Sequence, residues 1–152
     1  LVKSVIKSNE KRKKIILDQV NNIIGRKIKN KKIVFLGVTF KPNTNDMRDS
    51  PSLTMIPYFH KKGAKISYYD PTGDKKEFTK LRNCKFYNQI SVACKDADLI
   101  VLHTEWDEFK SLDFKRIVKN KRFKLYDLRN LYSYNEMKRK KIKYFSIGRP
   151  FF

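Results

Sequence analysis

Beyond residue 30 the chain alternates short apolar runs with segments of helical period, and this alternation constrains its fold more than any other feature. Ile33-Val34-Phe35-Leu36 and Leu99-Ile100-Val101-Leu102 have no polar face, which suits strands covered on both sides. The pattern places strands at 32–38, 65–69, 85–87, 98–103, 123–127 and 142–147, with helices at 50–62, 74–82, 89–95, 114–119 and 133–140. Six strands separated by helices are βα units, so the expectation is an α/β fold with a mainly parallel six-stranded sheet and flanking helices. Such sheets present ligands at the carboxyl ends of their strands, near the switch in strand order. The loops after residues 38, 69, 102 and 126 are therefore the places to look for chemistry.

Local signals refine the pattern. Ser50 reads as an N-cap with Pro51 at the first helical position. Pro57 inside that helix predicts a kink or an early end, and Gly63 a stop. Asp70-Pro71-Thr72-Gly73 is a turn. Ahead of the sheet, residues 5–24 read as a helix whose stripe is Ile16, Val20, Ile23 and Ile24, closed by Gly25. Upstream of Ile15 the stripe gives way to Lys, Asn and Glu. The stripe reads as exposed and in want of a partner surface.

A chain of 152 residues, 40% of them hydrophobic, can bury one core. No apolar run is long enough to span a membrane and no signal-peptide core follows the N-terminal charges, so a cytoplasmic protein is expected. The chain opens on Leu, which fits a processed chain or a piece of something longer. Cys84 and Cys94, with two His elsewhere, do not make a metal set. Free thiols are the preferred reading, and a single disulfide stays open. The net charge of +21 asks for a polyanion partner, and aromatics such as Tyr58, Phe59, Tyr68 and Tyr69 interleave with the lysines. Yet the basic residues scatter along the whole chain, and most aromatics fall in strands. Nucleic-acid binding is kept as the alternative.

Three loops hold candidate residues. Loop 37–51 has no Gly-x-Gly-x-x-Gly, but it offers Lys41, Arg48 and the amino end of the next helix, a combination suited to a diphosphate. After the fourth strand, Thr104 is expected to cap a short helix, with Trp106 and Phe109 packed inward and no role for a lone His103. After the fifth, Arg129 either pairs with Asp127 or points at a bound anion.

These pieces together resemble a known family. Gly37-x-x-Phe40-Lys41-Pro42-Asn43-Thr44-x-Asp46-x-Arg48-x-Ser50-Pro51 is similar to the signature of the C-terminal domain of UDP-glucose 6-dehydrogenases. Tyr69-Asp70-Pro71, Thr104-Glu105-Trp106 with Phe109, Asp127-x-Arg129-Asn130 and Ile147-Gly148-Arg149 agree in order and spacing, so the resemblance spans essentially the whole chain. It implies a Rossmann-like UDP-sugar-binding domain at 30–152, with 1–29 the C-terminal part of the family's central dimerisation helix. It also implies that Phe40 and Lys41 contact the UDP-sugar, that Arg129 contacts its UDP part, and that Arg48 reaches across to NAD. The family oxidises UDP-glucose to UDP-glucuronate in two NAD-dependent steps through a cysteine. The NAD-binding glycines and that cysteine are not in these residues, so the expectation for the chain alone is UDP binding without turnover, with no catalytic residue and no metal. A homodimer contact and a separate NAD-binding domain are the implied partners. Leu128 stands where the family usually has Gly, which predicts an altered presentation of Arg129.

Overall fold

The computed structural model describes residues 1–25 and 27–149. A long helix, α1 (Val2–Ile24), precedes β1 (Lys32–Leu36), α2 (Ser52–Lys61), β2 (Lys65–Tyr69) and β3 (Cys84–Phe86). There follow α3 (Ile90–Cys94), β4 (Leu99–Leu102), α4 (Phe114–Ile117), β5 (Lys124–Asp127), α5 (Tyr134–Arg139) and β6 (Lys143–Ser146). The strands form one sheet in the order β3-β2-β1-β4-β5-β6. Every neighbouring pair is parallel, as the alternation of elements requires. The order reverses between β1 and β4, which puts the switch point beside the loops that follow these two strands.

The period-2 alternation of each strand splits the core into two layers. Ile33, Phe35, Ile66, Tyr68, Leu99, Val101 and Tyr126 face one way and meet α1 and α2 through Ile16, Val20, Ile23, Met55, Ile56 and Phe59. Val34, Leu36, Ile100, Leu102, Leu125 and Tyr144 face the other and meet Ala93, Cys94, Phe114 and Met137 of α3, α4 and α5. Each central strand is therefore apolar at consecutive positions because both of its faces are covered.

Several expectations change. The stripe Ile16, Val20 and Ile23 is not exposed: all three are buried in the chain's own core, with Ile24 packed at its edge. The uncovered apolar residues of α1 are instead Val2, Val5, Ile6 and Ile15. The predicted helix 74–82 shrinks to a 3₁₀ turn, Lys76–Phe78. There the Lys75 N–H donates to the Tyr68 hydroxyl at 2.8 Å, and Phe78 packs edge-on to Tyr68 with ring centroids 5.3 Å apart. Anchoring Phe78 in the core fixes this segment more strongly than helix propensity could. Helix α2 runs through Pro57 to Lys61 without the early end that proline suggests. The N-cap is Pro51 and not Ser50, and the helix begins at Ser52: the Ser50 hydroxyl donates to the Val38 carbonyl at 2.6 Å and meets the Ser52 N–H only at 3.3 Å. Thr104 does not cap. Its hydroxyl is spent on the Thr39 carbonyl at 2.9 Å, and the 3₁₀ turn Asp107–Phe109 starts after Trp106 instead. Trp106 and Phe109 do pack into the second layer.

Candidate functional site

Two carboxylates, each at the end of a strand, set the loops that form the site. Asp70, after β2, accepts the Val38 N–H at 2.9 Å and the Thr72 N–H at 2.9 Å, and so pins the start of the β1 loop to its neighbour. Asp127, the last residue of β5, is fully buried. It accepts the N–H groups of Arg129 and Tyr132 at 3.0 Å each and the Tyr144 hydroxyl at 2.7 Å. A carboxylate with three donors can be buried without a counter-ion. Arg129 thus uses only its main chain on Asp127, which leaves the guanidinium to point elsewhere.

That guanidinium crosses to the neighbouring loops. Arg129 Nε donates to the His103 carbonyl at 2.9 Å, and Nη2 to the Phe40 carbonyl at 3.4 Å. Both partners are neutral, so the positive charge stays uncompensated while the fork is held in place. Leu128 lies in the first core layer, and the left-handed residue of the loop is Asn130, with φ 53°. The fold has placed that conformation where Asn tolerates it.

A cleft of about 530 Å³ opens at this end of the sheet. Phe40 and Lys41 from the β1 loop, His103 and Glu105 from the β4 loop, and Arg129 from the β5 loop all line it, and α1 forms the opposite wall. Phe40 is 49% exposed, unusual for a Phe and suited to stacking against a flat ligand. Lys41 Nζ makes no hydrogen bond or ion pair among the described residues. Three residues read from the sequence therefore meet in one cleft: Phe40, Lys41 and Arg129. Arg48 does not join them. It sits on the outer side of the same loop beside Thr44, Leu53 and Glu77, paired with Asp46 through Nε at 3.0 Å and Nη2 at 2.9 Å. The guanidinium pulls the Asp46 carboxyl down to about 2.

His103, given no role from sequence, lines the cleft and is almost fully buried. Because Thr104 Oγ1 gives its proton to the Thr39 carbonyl, it must accept at 2.9 Å from His103 Nδ1. The ring is thus the Nδ1–H tautomer, and Nε2 is left an acceptor with no protein partner among the described residues. Burial, helped by the charge of Arg129, pushes its pKa down to about 3. Residues of α1 that line the cleft, such as Arg12 and Lys13, also escaped the sequence reading. Their signal was the helical spacing back from Ile16.

The chain's relatives fit this geometry. The sequence profile described as "UDP-glucose/GDP-mannose dehydrogenase family, UDP binding domain" matches residues 34–134, from inside β1 into α5. The chain belongs to that family. The matched domain is its UDP-binding domain, and the match takes in the loops after β1, β4 and β5. Along 99% of its length the chain is 37% identical to a UDP-glucose 6-dehydrogenase of Rhizobium meliloti, covering 35% of that protein. It is 35% identical to UDP-glucose 6-dehydrogenase TuaD of Bacillus subtilis, over 99% of the chain and 33% of that protein. The chain thus spans about a third of the length of the curated relatives it matches. A UDP-glucose dehydrogenase from Pyrobaculum islandicum superposes with a TM-score of 0.74 over 95% of the chain and 31% of that structure, at 19% identity. A GDP-mannose dehydrogenase from Pseudomonas aeruginosa gives 0.68 over 95% and 33%, at 20% identity. These two likenesses speak for the fold.

The family's cofactor, NAD, does not fit the β1–α2 connection of this chain. A dinucleotide turn needs glycine backbone open to a pyrophosphate. Here the open side of Gly37 is filled: a Cβ added to it would lie 2.5 Å from Thr104 Cβ.

Proposed function

We propose that this chain is the UDP-sugar-binding part of a UDP-glucose 6-dehydrogenase, and that it binds the diphosphate of UDP in the cleft between α1 and the strand ends. The observation that carries this is the meeting of Phe40, Lys41 and Arg129, from two separate loops, at the switch point of a parallel sheet. Lys41 supplies an unpaired ammonium, Arg129 a pre-aimed fork and Phe40 an exposed ring. Together they suit a dianionic pyrophosphate beside a flat base.

By itself the chain binds without oxidising. The 152 residues contain no Gly-x-Gly-x-x-Gly, and burial raises both cysteine thiols to about 12, far from a nucleophile's range. NAD and the reacting cysteine come from the two thirds of the relatives' length that the chain does not span. Arg48, outside the cleft and fully solvated, is the residue that reaches toward that cofactor, after exchanging Asp46 for a phosphate.

Calorimetry with UDP at moderate salt tests the reading. Lys41→Ala and Arg129→Ala should each weaken binding about tenfold, the worth of one charge-assisted hydrogen bond. A folded chain that gives no heat with UDP, yet holds a random oligonucleotide with steep salt dependence, would show that the +21 charge serves nucleic acid instead.

A further inference from the structure

The wall of the cleft made by α1 carries a cation that the proposed function does not use. Helix α1 has 23 residues and is about 35 Å long, whereas a four-residue strand such as β5 covers only about 13 Å. The helix runs antiparallel to β5. Lys124, the first residue of β5, donates through Nζ to the Ile23 carbonyl at 2.6 Å, and Tyr126 bonds to Gln19 one turn back along the helix. The amino-terminal half of α1 therefore overhangs the carboxyl ends of the strands. Over the sheet its inner face is Ile16, Val20 and Ile23. Residues at i−3 and i−4 from Ile16 share that face, and they are Lys13 and Arg12. The face turns from apolar to cationic where the core ends and the cleft begins.

The cleft's other charges show which cations are uncommitted. Lys13 is paired with Glu10 at 3.3 Å. Arg129 is fastened to two carbonyls. Of the lysines and arginines that line the cleft, only Lys41 and Arg12 have no side-chain hydrogen bond or ion pair among the described residues. Resting on the UDP reading above, we infer that Arg12 is a further diphosphate-binding residue, which holds the ligand's phosphates from the helix side while Lys41 and Arg129 hold them from the sheet side. A planar fork on a helix anchored by Ile16 offers two parallel donors to adjacent phosphate oxygens, a geometry that Lys at the same position lacks.

The test compares wild type, Arg12→Gln, Arg12→Lys and Lys14→Gln in UDP titrations by calorimetry at constant ionic strength. Lys14 is exposed and does not line the cleft, so its variant removes one charge from the same helix without touching the site. Arg12→Gln should weaken UDP about tenfold, Arg12→Lys less, and Lys14→Gln less than about twofold. If wild type binds UDP and Arg12→Gln matches Lys14→Gln, the role given to Arg12 is wrong while the function stands. If wild type does not bind UDP, the function itself falls and takes this inference with it.

Discussion

Arg129 Nε donates to the main-chain oxygen of His103 at 2.9 Å, so the loop after β5 is tied to the loop after β4 by a side chain that also faces the ligand cleft. One residue thereby shapes the site and charges it. Arg129→Lys should therefore behave much like Arg129→Ala in UDP titration, because a lysine has no Nε–H at the position that grips His103. Recovery of wild-type affinity by Lys would show that only the charge matters.

The buried ring of His103 should make stability fall in weak acid. Its folded pKa lies near 3 and its usual value is 6.5, so the unfolded chain takes up the proton first. This contribution is complete above about pH 6.5 and declines by about 1.4 kcal/mol per unit as pH drops toward 3. Between pH 7.5 and 5, wild type should lose about 2 kcal/mol more than His103→Gln in urea unfolding. Equal losses would mean the imidazole is already protonated or exposed.

Gly37 should not tolerate a side chain. Its φ is +77°, and a Cβ would meet Thr104 Oγ1 at 2.8 Å as well as Thr104 Cβ. Gly37→Ala combines left-handed strain with a clash, for about 2–3 kcal/mol of destabilisation in chemical unfolding. It also pushes on the Thr104–Thr39 bond beneath the cleft, so UDP affinity should drop with it. An Ala variant of wild-type stability would contradict the close approach of the two loops.

Cutting Asp127 loose should uncouple the loop after β5 from β6. Asp127→Ala strands the N–H groups of Arg129 and Tyr132 and leaves the Tyr144 hydroxyl only the Tyr132 carbonyl at 3.0 Å. The cost should be about 3 kcal/mol or more, since buried donors would lose a charged partner. Tyr144→Phe removes one bond of the set and should cost about 1–2 kcal/mol. Similar small losses for both would argue that water replaces the carboxylate.

Neither cysteine should react readily in the folded chain. Cys84 and Cys94 are free and pack in opposite core layers, with the sheet between them. A thiol-specific reagent should label buried Cys94 only after denaturant is added, and half-buried Cys84 much more slowly than a free thiol. Rapid labelling of Cys94 in the native chain would refute its burial.

The sequence by itself determined the layered sheet, because unbroken apolar strands between helical segments have few other ways to bury both faces. It placed β2 at 65–69 to the residue and put Lys41 and Arg129 at strand ends, where parallel sheets present ligands. Its periodicities identify which residues share a face but not what that face meets. Hence Ile16, Val20 and Ile23 read as a stripe awaiting a partner, and only the antiparallel run of α1 over β5 showed that the chain covers them itself. The same packing brought Arg12 to the cleft. Which way the Arg129 fork points was likewise settled in three dimensions: Asp127 is consumed by Tyr132 and Tyr144, residues that no local pattern connects to it.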